Sequence, residues 1–270
     1  MKLAYYLKDR RLQLDPRVLA LLADLGASGL DVYPALSASD ITPGTDMLLS
    51  FGGDGTYLSA ATLAVKASLP VLGVNFGRLG FLSENKPEDI APALVSKSYS
   101  IQRRGLVQVT GLCGGDGPQL ALNEICIRRL GSAMLGIDVS VNGRPLPTYW
   151  ADGLIVATAS GSTAYSLSVG GPICSPDSSV LILAPVAPHN LNVRPLIVPD
   201  TSQIGVSFRS RESSLRLSAD NREYDLPAGS QLQICAAPVS LGRVVLNGSN
   251  FIEALRSRLH WGSDVRNETE

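Results

Sequence analysis

The sequence predicts an α/β amino-terminal domain with an open, mostly parallel sheet, followed by a β-rich domain of layered, sandwich-like type. Three observations carry this. Over the first hundred residues short apolar runs alternate with helix-period segments. From about residue 101 the texture changes to short β-type runs punctuated by Gly, Pro, Asn and Asp. The 270 residues include 26 Gly and 17 Pro for turns, and 45% hydrophobic residues supply a core for each half. The boundaries fall at residues 1–100 and 101–249, and an amphipathic segment over residues 250–262 is free to return to the first domain.

Each element has its own reason. Lys2 to Leu7 is strand-like, and Pro16 to Leu25 repeats Val18, Leu19, Leu22 and Leu25 at helical spacing behind Asp15, a natural N-cap. Met47 to Phe51 is a short apolar run ending in glycines, which suits a buried parallel strand entering a tight turn. Thr56 to Lys66 carries Leu58, Ala61, Thr62 and Val65 on one helical face, and Pro70 to Val74 reads as the next strand. The stretch Asn75 to Leu82 is too glycine-rich for regular structure. In the second half the β-type runs are Leu106 to Leu112, Gln119 to Arg128, Ile137 to Val141, Leu154 to Thr158, Val180 to Leu183, Ile204 to Phe208, Leu215 to Ser218 and Leu232 to Cys235. Asn250 to Leu259 closes with Phe251, Ala254, Leu255 and Leu259 at helical intervals.

Composition excludes several functions. A formal net charge of −1 gives no broad cationic field, so neither nucleic acid nor a membrane surface is expected as a partner, and a polyanionic ligand must be held by a local site. No apolar run reaches the roughly 18 residues that a membrane span needs. The residues after Met1 lack a signal-peptide core, which predicts a cytoplasmic location. Cys113, Cys126, Cys174 and Cys235 are scattered without a CxxC pair, as reduced, buried structural cysteines would be, and the two histidines, His189 and His260, read as structural.

Three segments carry candidate chemistry. Phe51-Gly52-Gly53-Asp54-Gly55-Thr56 stands at a strand-to-helix junction, where glycines let peptide N–H groups approach a phosphate. An acid in such a turn suits contact with a hydroxyl that loses its proton, or with a magnesium ion; the plain alternative is an Asp that caps the helix. The turn is neither GxxxxGK[ST] nor GxGxxG. Asn123-Glu124 pairs an amide and a carboxylate in a β-type run, where both could reach one ligand only across a bend or bulge; an ordinary strand end is the plain reading. Asp152-Gly153 precedes a strand that opens into Ser160-Gly161-Ser162-Thr163-Ala164-Tyr165-Ser166-Leu167-Ser168. Those hydroxyls and N–H groups can line phosphates or a ribose, with Tyr165 packing on a ring, or can simply cap a helix start.

Taken together, in this order and spacing, the three segments resemble the NAD kinase family. Gly170-Gly171-Pro172 and Pro188-His189-Asn190-Leu191-Asn192-Val193-Arg194-Pro195 extend the likeness along most of the chain. The resemblance implies a NAD site in a crevice between an α/β and a β-rich domain, ATP as co-substrate with a divalent ion, Mg2+ or Mn2+, and a homo-oligomer, dimer or tetramer, whose neighbouring subunits complete the site. It implies Asp54 as proton acceptor for the adenosine ribose 2′-hydroxyl, with Gly55 beside it, and Gly52, Gly53, Gly55 and Thr56 as the phosphate turn. Asn123 and Glu124 would hold the dinucleotide, Asp152 a ribose or the nicotinamide part, and Thr163, Ala164, Tyr165, Ser166, Leu167 and Ser168 the adenine and ribose pocket.

The chain departs from the family pattern at three places. Ala159 and Ser160 replace a Pro-Thr pair, Trp150 stands where many members have a basic residue, and Asp220-Asn221-Arg222 replaces DGQ, which makes Arg222 a further candidate ligand. A lipid or sugar kinase with the same glycine turn, and a dinucleotide sensor without catalysis, are the competing readings.

Overall fold

The computed structural model of the chain describes residues 1–77, 80–112 and 117–261. They fall into two units, Met1–Arg103 with the chain from Leu241 onward, and Arg104–Ser240. Residue 262 and Cys113 lie outside the described residues.

In the first unit strand and helix alternate: β1 (Lys2–Tyr6), α1 (Pro16–Ala27), β2 (Asp31–Pro34), β3 (Met47–Gly52), α2 (Asp54–Ala67), β4 (Val71–Asn75) and α3 (Pro87–Val95). The strands lie in the order β4-β3-β1-β2, all parallel. Every residue of β3 is buried, as a parallel strand covered on both faces requires. The chain steps outward from β1 to β2, then crosses back to β3 and on to β4. That reversal lies between β1 and β3, and open α/β sheets gather ligands beyond the carboxyl ends of strands at such a point. β3 ends there, at Gly52.

Asp15 caps α1 by accepting the Arg17 N–H at 2.9 Å, with Pro16 at the first helical position. The buried stripes of the helices are rotated from those expected. On α1 it is Val18, Leu21 and Leu25, while Leu19 is 52% exposed. On α2 Tyr57, Ala60, Ala61, Leu63 and Ala64 are buried, and Leu58, Thr62 and Val65 only partly so. Both helices carry apolar residues over more than one arc, and tertiary packing selects which arc meets the sheet.

The second unit opens within β5 (Tyr99–Thr110), at Arg104. Its strands are β6 (Gln119–Ala121), β7 (Glu124–Arg128), β8 (Leu135–Val141), β9 (Arg144–Pro145), β10 (Tyr149–Ala151) and β11 (Gly153–Thr158), then, after the short helix α4 (Tyr165–Ser168), β12 (Val180–Val186), β13 (Leu196–Pro199), β14 (Ile204–Arg209), β15 (Ser214–Ala219), β16 (Arg222–Pro227) and β17 (Gln231–Leu246). One antiparallel sheet runs β10-β8-β14-β17 and a second runs β13-β12-β11-β7-β15-β16. Leu135, Ile137, Ile204 and Leu232 of the first share a core with Ile125, Ile127, Leu154, Val156 and Leu217 of the second. The alternate residues Cys126, Ile155, Ala157, Ile182 and Ala184 form another cluster, so the second sheet is covered on both faces.

Two sequence expectations change here. Gln119 to Arg128 is not one strand but two, interrupted at Leu122 and Asn123. Leu232 to Cys235 is only the opening of β17, a 16-residue strand that pairs first with β14 and, at Arg243, with Val71 of β4. The last helix among the described residues is α5 (Phe251–Leu259), capped by Asn250 at 2.9 Å to the Ile252 N–H, and α5 belongs to the unit that contains β1 to β4. Cys126, Cys174 and Cys235 are free thiols, but only Cys126 is buried; the other two keep partial exposure, which corrects the expectation of a uniformly buried set. No helix among the described residues is long and apolar enough to cross a membrane.

Candidate active site

The glycine turn sits at the carboxyl end of β3, at the sheet's reversal point. Gly52 has φ +150°, and a Cβ there would stand 2.5 Å from Thr56 Oγ1, so only glycine lets the turn close on α2. Gly53 is the N-cap and Asp54 the first helical residue, with no side-chain cap bond. The capping reading of Asp54 therefore fails. Its carboxylate turns instead to the segment after β4: Oδ2 accepts the Phe81 N–H at 2.8 Å, and Oδ1 accepts those of Leu82 at 3.0 Å and Ser83 at 2.8 Å. A Cβ on Gly80 would overlap this carboxylate. An ionised carboxyl offers about four acceptor positions. Three are filled, and the remaining one is on Oδ2.

Gly53 and Gly55 differ from Gly52. Neither has a positive φ, and a Cβ at either would meet no atom within 4 Å. Gly55 is exposed in the first turn of α2, and glycine is a poorer helix former than alanine. Neither a positive φ nor a close contact of a Cβ calls for glycine there.

In the second unit β11 stitches two of the motifs together. Thr158 donates its hydroxyl to the Leu122 carbonyl at 2.6 Å and accepts the Gly161 N–H at 3.1 Å, and its own N–H bonds the Asn123 carbonyl at 2.8 Å. Asp220 braces the same break from the other side. Its carboxylate accepts the N–H groups of Leu122 and Asn123 at 2.8 Å and of Glu124 at 3.2 Å, and its own N–H donates to the Glu124 carbonyl at 3.0 Å. Asp220 occupies the two-residue turn between β15 and β16 at φ +51°, a left-handed conformation that Asp tolerates better than most residues. The bend that Asn123 and Glu124 need in order to serve one ligand is therefore built, between β6 and β7.

The polar atoms around this bend are unusual. Asn123 Oδ1, Glu124 Oε2, Ser166 Oγ and Arg222 Nε are buried with no hydrogen-bond partner among the described residues. Buried polar groups nearly always have partners, so four orphans in one neighbourhood mark a place where a ligand or water belongs. Burial, reinforced by the Asp220 charge, pushes the Glu124 carboxyl up to about 8, while the Tyr165 N–H partly offsets this. Burial also raises Asp220, against its three N–H bonds. Asp220 is the better solvated of the two by N–H donors, so Glu124 keeps the proton. Burial pushes the nearby Cys126 thiol up to about 12, which leaves it unreactive at neutral pH.

The structure divides the expected pocket lining. Tyr165 presents its ring to solvent at 41% exposure and Ser168 is exposed, Thr163, Ala164 and Leu167 are half-buried, and Ser166 is fully enclosed. Arg222 donates to the Leu120 carbonyl, which ties part of its guanidinium to the protein's own backbone. Asp152 is not brought to this group. It stands at the opposite end of β11, six residues at roughly 3.3 Å each from Thr158, and is paired with Arg129 at 2.7 Å. His189 and His260 are both exposed, and the His189 N–H donates to the Trp150 carbonyl at 2.8 Å. No three His, Cys, Asp or Glu side chains gather among the described residues as a metal cage would.

Two contributors escaped the sequence reading. Asp220 had one available signal, an Asp-Asn turn between β-type runs. The N–H groups of Phe81 to Ser83 had only Gly80, whose reason appears when Asp54 is seen against it.

The chain is similar to known proteins in both of its units. Residues 27–97 match the ATP-NAD kinase N-terminal domain family and residues 122–245 the ATP-NAD kinase C-terminal domain family. The NAD kinase of Flavobacterium psychrophilum is 39% identical over 240 residues, covering 86% of this chain and 81% of the relative. That of Porphyromonas gingivalis is 40% identical over 243 residues, covering 88% and 84%. Among solved structures, an Archaeoglobus fulgidus NAD kinase in complex with ATP superposes with a TM-score of 0.78 at 25% identity, covering 96% of this chain and 99% of that one. A yeast NADH kinase complexed with NADH has the same fold, with a TM-score of 0.83 at 24% identity over 99% of this chain and 90% of the other. Matched along both of its units and by relatives over most of their length, the chain belongs to the NAD kinase family.

Proposed function

We propose that the protein transfers the terminal phosphoryl group of ATP to the adenosine ribose 2′-hydroxyl of NAD, giving NADP, with Asp54 as proton acceptor. The observation that carries this reading is the Asp54 carboxylate at the reversal point of the sheet, oriented by three N–H bonds and left with one acceptor position on Oδ2. The 2′-hydroxyl donates to that position. As its oxygen bonds to the terminal phosphorus, the proton passes to Oδ2, the phosphorus–oxygen bond to the leaving group breaks, and ADP departs. Phosphoryl transfer asks mainly for alignment and charge neutralisation. Gly52, Gly53, Gly55 and Thr56 supply alignment as the phosphate turn.

The second unit is read as the dinucleotide-binding domain and the first as the phosphate-binding domain. Asn123, Glu124 and the lining from Thr163 to Ser168 hold the adenosine half, with Tyr165 against the base. Arg222 is kept as a ligand through its unpartnered Nε. The divalent ion, Mg2+ or Mn2+, enters on the ATP phosphates as part of the nucleotide substrate. Asp152, remote along β11 from Asn123, serves a ribose or the nicotinamide part supplied from a neighbouring subunit, so the working form is a homo-oligomer. The cytoplasm is its proposed location.

The test is incubation of the protein with ATP, Mg2+ and NAD, and detection of NADP by an NADP-specific dehydrogenase. NADP formation is expected. Binding without turnover would turn the reading to a dinucleotide sensor, and turnover on a lipid or sugar alone to another kinase.

A further inference from the structure

The segment that grips Asp54 is itself gripped by the last part of the chain. Arg243, near the end of β17, donates its Nη2 to the Phe81 carbonyl at 2.9 Å and to Glu84 Oε1 at 2.6 Å. Arg258 on α5 donates its Nη2 to Glu84 Oε2 at 2.9 Å. The Arg258 guanidinium lies 5.2 Å from the centre of the Phe81 ring, and Phe251 packs on the same ring at 6.5 Å. Phe81 is thus held by its carbonyl and its ring from β17 and α5, while its N–H holds Asp54 Oδ2.

This cluster is an inefficient way to dock a helix. Glu84, Arg243 and Arg258 are each about 10% exposed, and a single carboxylate serves two guanidinium groups. Arg258 Nε and Nη1 are buried without partners among the described residues. Unpartnered buried donors are costly, and buried ion pairs are often no more stabilising than apolar side chains of similar volume. The arrangement calls for a role that an apolar contact could not fill, namely to fix the direction of a backbone segment through directional, charge-assisted hydrogen bonds from Arg243 to the Phe81 carbonyl and from both arginines to Glu84.

We infer that Arg258 and Glu84 are positioning residues for Asp54. Through Glu84, Arg243 and Phe81, α5 sets the direction of the one acceptor position left on Oδ2, so this helix acts on the proton acceptor through other residues. The inference rests on the reading of Asp54 as proton acceptor for the 2′-hydroxyl.

Arg258→Met, which keeps most of the volume and removes the guanidinium bond to Glu84, tests it on the full-length protein. The kcat for NADP formation is expected to fall by about tenfold or more, within the ~10² that a 1 Å misplacement can cost. KM for NAD should stay within about twofold, because the groups that bind it are untouched. In an Asp54→Asn background the same substitution should cost no further turnover, since the group it positions is gone. Amide exchange at Phe81, Leu82 and Ser83 should quicken by about tenfold while that of β7 and β11 does not. Unchanged kcat, a loss that adds in full to that of Asp54→Asn, or unaltered exchange at those three amides would each overturn the inference. Should Arg258→Met fail to fold, Glu84→Gln carries the same three readings. If the wild-type protein makes no NADP, the proposed activity falls, while the exchange measurement still decides whether α5 braces the Asp54 segment.

Discussion

Glycine at position 55 is a poorer helix former than alanine, and a Cβ there would meet nothing within 4 Å. Gly55→Ala is therefore expected to raise or preserve the melting temperature while lowering turnover by about tenfold or more, because the added methyl stands where phosphate approaches the helix N-terminus. Full activity in this variant would remove the phosphate turn from the account. Glu124 gives a second residue-scale prediction. Its carboxyl rises from an ordinary 4.5 to about 8 on folding, burial first and Asp220 second. The folded protein then holds this proton where the unfolded chain releases it, so the stability of the ligand-free protein falls as pH rises from about 4.5 to about 8 and levels beyond. Glu124→Gln has no proton to lose and should flatten that slope. Urea midpoints measured across this window for both proteins decide it, and identical slopes would assign the titration elsewhere.

Among elements, the break between β6 and β7 matters most to the site. Asp220, on the hairpin of β15 and β16, ties three consecutive N–H groups of that break. Asp220→Ala leaves those N–H groups without their acceptor, and KM for NAD should rise by about tenfold with a smaller change in kcat, the mark of lost substrate binding. A fall in kcat alone would place Asp220 with the phosphoryl-transfer groups instead. The elements also show where sequence is legible. β3 was readable because its residues are apolar, Ser50 apart, up to the glycine turn, and α1 because Asp15 and Pro16 announce its start. The β6–β7 break was not, because Leu122-Asn123 contains no Gly or Pro, and what interrupts the ladder is the Asp220 carboxylate, nearly a hundred residues away. The length of β17 was obscured by Pro238 and Gly242 inside it, both of which read locally as breakers.

For the whole molecule, the chemistry-bearing segments stood out because glycines, small hydroxyls and an adjacent amide and acid are poor material for a core, and the family resemblance joined them. The support around them was hidden: Glu84, Arg243 and Arg258 lie in segments that read as ordinary loop, strand and helix, and only folding brings them to Phe81. With a net charge of −1, no general cationic field draws ATP and NAD to the protein, so the proposed reaction rests on local groups, with Asp54 the first to test. The most direct measurement is the turnover of Asp54→Asn alongside its NAD affinity by titration calorimetry. The account predicts NAD binding within about threefold of wild type and a kcat lower by ~10² or more, the scale of general-base catalysis. A folded Asp54→Asn protein that binds NAD and makes NADP at near the wild-type rate would contradict it.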